Sequence, residues 1–356
     1  MGTWTAGVKP TTPSSQLSDQ MQRVQASVVQ HHYVRAELHD INTRKGAKLI
    51  EETIAALKLT PQGKKANKAQ LMDGFNHMTK RLQTAELTIN FKSTSWFMSP
   101  NNYDSYTQMY ERAVRAIGAP GQPAVKEMRL KSDPLNPAQL RVATDDKVTF
   151  RKDVLANDKF DPQYGGMGRV MSPGGLRTPT VDAKPGEFEA VNPFFNPKSK
   201  QVFAALNYGR RPHGSAVTYG SSYMVLNPRF KTNAIFFAGD TFGITAGMKV
   251  AADDQISYDL LGAVYGKAND RLKTDLYKSC ILDASLGEST SSLDVLLLVE
   301  AHIFEPLTFS GNLEVLYVSG SDMLSGKKIT GAEWQTIQTN ARAFANKHGA
   351  KVVFIE

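Results

Sequence analysis

Residues 293–304 are the most apolar stretch of the chain, and ionisable groups interrupt it: Leu293-Asp294-Val295-Leu296-Leu297-Leu298-Val299-Glu300-Ala301-His302-Ile303-Phe304. A short apolar run of this kind predicts a strand. Side chains alternate along a strand, so Leu298, Glu300, His302 and Phe304 share one face, and Val299, Ala301 and Ile303 the other. A charge there is costly unless it is paired, hydrogen-bonded or set in a cleft. A face that borders solvent accounts for the same pattern.

The 356 residues suffice for one large domain or two smaller ones. Hydrophobic residues make up 41% and charged residues 21%, the balance of a globular, water-soluble chain rather than a disordered one. No apolar run approaches the roughly 20 residues that span a bilayer. The first residues lack the layout of a classical secretory signal. The one cysteine, Cys280, excludes an internal disulfide and a multi-cysteine zinc site, and suits a reducing compartment. Net charge is +8, part of it local: residues 1–85 hold twelve Lys or Arg against six Asp or Glu. These cations are scattered among Gln, Asn and Thr. They form no recognition helix, zinc finger or aromatic platform, which argues against nucleic acid as the partner.

Residues 1–20 read as a flexible leader, compatible with non-classical bacterial secretion. Residues 21–118 read as helical, with helices near 46–59, 66–86 and 101–117. Residues 119–200 are rich in Pro and Gly, a long loop region of the kind that often carries function. Short β-rich runs follow at 201–207, 217–226, 233–238, 295–304, 313–318 and 351–355. Helices are expected over about 253–273 and from Thr330, where Thr330 and Glu333 have the spacing of a capping box. The expected class is α+β: a helical N-terminal part, then a mostly antiparallel β-rich domain over 119–356.

Several motifs fail. His31, His32 and His39 lie near Glu37 and Asp40 in the wrong order for a zincin helix. Gly165-Gly166-Met167-Gly168 has neither a preceding strand nor a following helix, which argues against dinucleotide binding of the Rossmann type. No G-x-S-x-G elbow is present. Cys280 reads as a lone buried thiol. Taken singly, the polar residues of the β-rich runs are also ordinary. Arg210 and Arg211 suit a turn-side salt bridge, Ser221 and Ser222 a strand beside a glycine bulge, and Asp240 a turn cap.

In order, however, these segments resemble a bacterial family first catalogued as a domain of unknown function. It includes the CteC-like type III effectors, which ADP-ribosylate ubiquitin on a threonine. The resemblance is carried by Ser172-Pro173-Gly174-Gly175-Leu176-Arg177, by Ala204-Ala205-Leu206-Asn207-Tyr208-Gly209-Arg210-Arg211 and by Tyr219-Gly220-Ser221-Ser222. It continues through Phe236-Phe237-Ala238-Gly239-Asp240-Thr241, Val299-Glu300-Ala301-His302-Ile303 and Leu313-Glu314-Val315-Leu316. It spans about 165–320 and leaves out the helical first third. Phe304-Glu305 stands where the family has His-Gly, and Asp240-Thr241 where it has Asp-Ser.

The resemblance implies a mono-ADP-ribosyltransferase with NAD as substrate, delivered into a host cell by a type III-like route and acting on a host protein, ubiquitin in the first place. It implies Glu300 as the carboxylate beside the nicotinamide ribose, and His302 as the group that meets an acceptor hydroxyl. Asn207 and Arg210 are then candidates for the pyrophosphate and adenosine ribose, and Ser221 and Ser222 brace the glutamate. Tyr219 stacks on nicotinamide. Asp240 orients an arginine or the acceptor. Leu298 occupies the position where related toxins place an acceptor-selecting Glu or Gln. Ser289-Thr290-Ser291-Ser292 spells a transferase-like motif but lies on the approach to the Glu300 strand and reads as a loop. Two alternatives stay open: an NAD glycohydrolase using the same glutamate, and a non-enzymatic interaction protein on a degenerate transferase fold.

Overall fold

A computed structural model describes residues 35, 38–106, 127–129, 141–143, 148–149, 180–181, 202–239, 255–287, 296–303, 305–323 and 326–355. The chain divides into two compact units. One comprises residues 1–37, 105–202 and 304–306. Its described secondary structure is two small antiparallel pairs, Glu127–Arg129 with Arg141–Ala143 and Val148–Thr149 with Thr180–Val181.

The other unit, residues 38–104, 203–303 and 307–356, is α+β and built on a seven-stranded sheet. Its strands are β1 Glu86–Phe91, β2 Val202–Asn207, β3 Ser222–Leu226, β4 Ala234–Ala238, β5 Val299–Ile303, β6 Leu313–Ser319 and β7 Lys351–Ile355, in the order β7-β6-β3-β1-β2-β5-β4. The registered pairs are antiparallel except β6–β7, where the helix Gly331–His348 carries the chain back to a parallel neighbour.

β1 is the main departure from the sequence reading. It lies in the stretch expected to be helical, yet it sits mid-sheet between β2 and β3. The boundary expected near residue 118 therefore does not set a helical part apart from the sheet. Leu87, Ile89 and Phe91 alternate with Thr88 and Asn90, and all five are buried. The two polar residues are fully employed. Thr88 donates to the Ala205 carbonyl and bonds Ser215, and the Asn90 amide holds His213, Ala216 and Gly220 backbone.

The apolar side of β1 meets helices. Phe91 lies 6.1 Å from Trp96 and 5.8 Å from Phe97, both on the short helix Ser93–Phe97. Phe97 in turn meets Phe344 of the 331–348 helix at 5.6 Å. Burying one such ring contributes roughly 1.5–3 kcal/mol, so this cluster is a major anchor.

Two helices before β1, α1 Gly46–Lys58 and α2 Lys68–Thr84, form where their apolar spacing predicts. α2 opens on a full capping box between Asn67 and Gln70. At Thr330, where the sequence suggested such a box, the side chain makes no cap bond. The helix expected over 253–273 is broken into a 3-10 segment, Tyr258–Ala263, and two short helices, Val264–Lys267 and Asp270–Leu276. The backbone leaves helical geometry at Leu260, and Gly262 packs close on α2, where a Cβ would stand 2.5 Å from Thr79 Oγ1 and 2.7 Å from the Phe75 carbonyl. Ala268 is extended, and the Asn269 side chain then caps the next helix. The expected run 217–226 begins as a 3-10 turn, Val217–Tyr219, before β3. Tyr103 is not helical, and residues 107–117 of the helix expected there lie outside the described residues.

Candidate functional site

Both faces of β5 are buried, so its alternation separates two interiors rather than core from solvent. Val299, Ala301 and Ile303 face one; Glu300 and His302 face the other. The Glu300 side chain retains 8% exposure and that of His302 none, and His302 Nε2 stands 3.3 Å from Glu300 Oε2. Glu300 lies opposite Phe237 of β4, and His302 opposite Ile235. The imidazole is held between two phenyl rings, Phe203 of β2 at 4.8 Å and Phe237 at 4.7 Å. A carboxylate buried alone would cost several kcal/mol; the adjacent imidazole offsets part of that.

β2 places the next candidates. Ala205 and Leu298 share a small apolar cluster with Ala216, and the half-buried Tyr219 packs against it. β2 and β5 are neighbours in the sheet, and Phe203 of β2 meets His302 of β5. Leu298 stands just before β5, two positions ahead of Glu300.

Asn207 ends β2 with its side chain turned to the backbone. Its Oδ1 accepts from the Arg211 N–H at 2.9 Å, and its Nδ2 donates to the Arg211 carbonyl at 3.0 Å. This closes a tight turn in which Arg210 takes a left-handed backbone, φ 54°. Arg211 is buried and held by Asp275 at 2.8 Å, with a further bond to the Gly287 carbonyl. Arg211 thus makes a salt bridge beside the turn, and Arg210 makes a separate one to Asp283 at 3.1 Å. A cavity of about 530 Å³ opens here, its walls including Arg81, Glu86, Asn207, Arg210, Tyr223 and Tyr317. Glu300 and His302 do not line it.

The serine pair is at the other end of the sheet. β1 pairs Glu86 with Asn207 at one end and Phe91 with Ser222 at the other. Five residues of strand span about 17 Å. Both hydroxyls hold backbone: Ser221 Oγ accepts from the Met323 N–H at 2.8 Å, and Ser222 Oγ from the Ser319 N–H at 2.9 Å. Between Tyr219 and these serines, Gly220 lies at φ 138°, and a Cβ there would come within 2.1 Å of the Phe91 backbone. The structure therefore brings together Glu300 and His302, and packs Tyr219 against the cluster of Ala205, Ala216 and Leu298. It places Asn207 and Arg210 at a separate cavity, and Ser221 and Ser222 at neither. Asp240, the 172–177 loop and residues 289–292 lie outside the described residues.

Sequence reasoning missed Arg81, near the end of α2, and the Tyr223–Tyr317 pair, stacked at 4.4 Å across β3 and β6. The tyrosines alternate correctly with their strands, but their pairing depends on a register between segments some ninety residues apart. Among the described residues no group of three or more His, Cys, Asp or Glu is placed to hold a metal ion, and no helix is long and apolar enough to cross a membrane. No protein-family model matches this chain, and no curated protein matches it.

Proposed function

We propose that this chain is an NAD-dependent mono-ADP-ribosyltransferase that moves ADP-ribose to a hydroxyl of a host protein, with a threonine of ubiquitin as the first acceptor to test. The observation that carries the reading is the Glu300–His302 pair. A carboxylate with 8% exposure sits beside the imidazole in a fully buried strand whose other residues are apolar. The ordered resemblance of residues 165–320 to the CteC-like family supports it from the sequence side.

In such a transfer the bond from the nicotinamide-ribose C1′ to the ring nitrogen breaks, nicotinamide leaves, and an acceptor oxygen bonds C1′ as its proton passes to solvent. Positive charge builds on the ribose in the transition state. Glu300 stabilises that charge. The role first expected for His302 changes. A fully buried imidazole does not reach an acceptor hydroxyl, so His302 acts on Glu300, fixing the carboxylate from behind as a positioning residue.

That burial also favours a second reading. With no imidazole exposed to a protein hydroxyl at this pair, water becomes a competent acceptor and the chain an NAD glycohydrolase. Incubation with NAD and ubiquitin separates the two. A transferase adds the mass of ADP-ribose to ubiquitin, and Glu300→Gln abolishes the gain. A glycohydrolase releases nicotinamide and leaves ubiquitin unchanged. Failure of the wild type to bind or consume NAD would sink both and leave the non-enzymatic interaction protein. The type III-like delivery implied by the resemblance is tested by fusing the chain to a translocation reporter in a secreting bacterium.

A further inference from the structure

Arg81 and Arg210 line the same cavity and share one partner, Asp283. Arg81 Nη2 pairs with Asp283 Oδ1, and Arg210 Nη2 stands 3.1 Å from the same oxygen and donates to the Asp283 carbonyl at 2.7 Å. Asp283 is not itself a lining residue. Its side chain is 65% exposed, against 34% for Arg81 and 45% for Arg210.

The backbone is unusual at both ends of this contact. Arg210 (φ 54°) and Asp283 (φ 55°) are the non-glycine residues described with left-handed φ, and they hydrogen-bond each other. Asp283 has a local reason for its conformation. It follows the helical turn Tyr277–Ile281, and the next N–H, of Ala284, donates back to the Lys278 carbonyl. Arg210 is held left-handed by the Asn207 turn. The two segments are further joined by the Leu286 N–H donating to the Gly209 carbonyl. Two arginines are thus presented in fixed geometry to one exposed carboxylate at the edge of a cavity. The cavity's other walls include the stacked Tyr223–Tyr317 pair and one acidic side chain, Glu86.

A guanidinium pair converging on a carboxylate is also a phosphate site, because the donor geometry is the same and phosphate carries more charge. We propose that Asp283 is the internal occupant of an anion-binding site, and that a phosphorylated small molecule seated in the cavity replaces it on Arg81 and Arg210. The cavity falls in the size range of small-molecule sites. The tyrosine wall favours a ligand with a planar ring beside its phosphates, a nucleoside diphosphate in class. The site rests on these residues alone and not on any transfer by Glu300.

ADP is the probe, since it has no nicotinamide bond to break. Calorimetric titration of the full chain compares wild type, Asp283→Asn, Arg81→Ala and Arg210→Ala. Asn is the residue besides glycine that best tolerates left-handed backbone, so Asp283→Asn removes the competing charge and keeps the turn. ADP should bind the Asp283→Asn variant about tenfold more tightly than wild type, and each arginine variant at least about tenfold more weakly. A gain of affinity cannot come from a failure to fold. If Asp283→Asn binds ADP no better than wild type, or Arg81→Ala binds it equally well, the exchange is overturned. The Glu300 reading is then still decided by ubiquitin mass.

Discussion

His302 Nε2 lies 3.3 Å from Glu300 Oε2, inside a strand whose every residue is buried. The two side chains are one electrostatic unit. Replacing His302 by Ala removes one partner of a buried carboxylate and opens a void between Phe203 and Phe237. The expected cost is about 2–4 kcal/mol, read from the midpoint of urea unfolding. His302→Gln keeps volume and a donor and should recover part of the loss. Recovery of nothing would mean that ring packing, not the contact with Glu300, is what His302 supplies.

Lys231 is buried where the chain leaves α2. Its ammonium donates to the Gln83 carbonyl at 2.6 Å and the Ala85 carbonyl at 2.7 Å. Burial pulls it down to about 8, against an upward pull from Glu314 and Glu86. Lys231→Met leaves those carbonyls without their donor. Urea unfolding at neutral pH should show a loss of about 1–3 kcal/mol; an unchanged midpoint would mean that the apolar gain matches the lost bonds.

His348 makes stability depend on pH. Burial, the leading cause, holds its pKa below the ordinary histidine value, while its ring nitrogens bond the Ser310 hydroxyl and the Tyr103 carbonyl at 2.9 Å each. The folded state then resists protonation that the unfolded state accepts. This contribution is fully present above about pH 6.5 and is lost as pH falls through the lower folded value. Thermal unfolding at pH 7.5 and 5.0 should show a larger drop for wild type than for His348→Gln.

The Cys280 thiol is buried and pushed up to about 11, chiefly by burial. Alkylation by iodoacetamide at pH 7.5 should be negligible in the native protein and complete in denaturant. Rapid native labelling would show that the segment from Asp270 to Leu282 opens locally.

Gly220→Ala tests the joint between β1 and β3. Its φ of 138° and the 2.1 Å approach to Phe91 backbone leave no room for a methyl group. The variant should lose more than about 3 kcal/mol or fail to fold, seen as loss of the cooperative thermal transition.

Local pattern made much of the sheet legible. The runs at 202–207, 234–238, 313–319 and 351–355 form strands close to where their β-branched and aromatic residues place them. β1 was hidden because six residues, Glu86-Leu87-Thr88-Ile89-Asn90-Phe91, follow directly on a long helix, and their alternation includes a polar pair that only tertiary bonds satisfy. Glu300 and His302 were visible as a charge in an apolar strand; the burial of His302 was not, because it depends on Phe203 and Phe237 from two neighbouring strands. Asn207 and Ser222 looked like ligand-binding polar groups. Sequence cannot distinguish a side chain that serves a ligand from one that closes its own backbone turn.

The central place of β1 has a consequence for how the chain matures. Its two neighbours, β2 and β3, come more than a hundred residues later, so the sheet cannot zip until residue 226 has been made or threaded. Until then two strand edges wait open on either side of a gap. Cutting away the first hundred residues would therefore not release an intact sheet. It would leave β3-β6-β7 and β2-β5-β4 as separate ribbons, each with a raw edge inviting association with another chain.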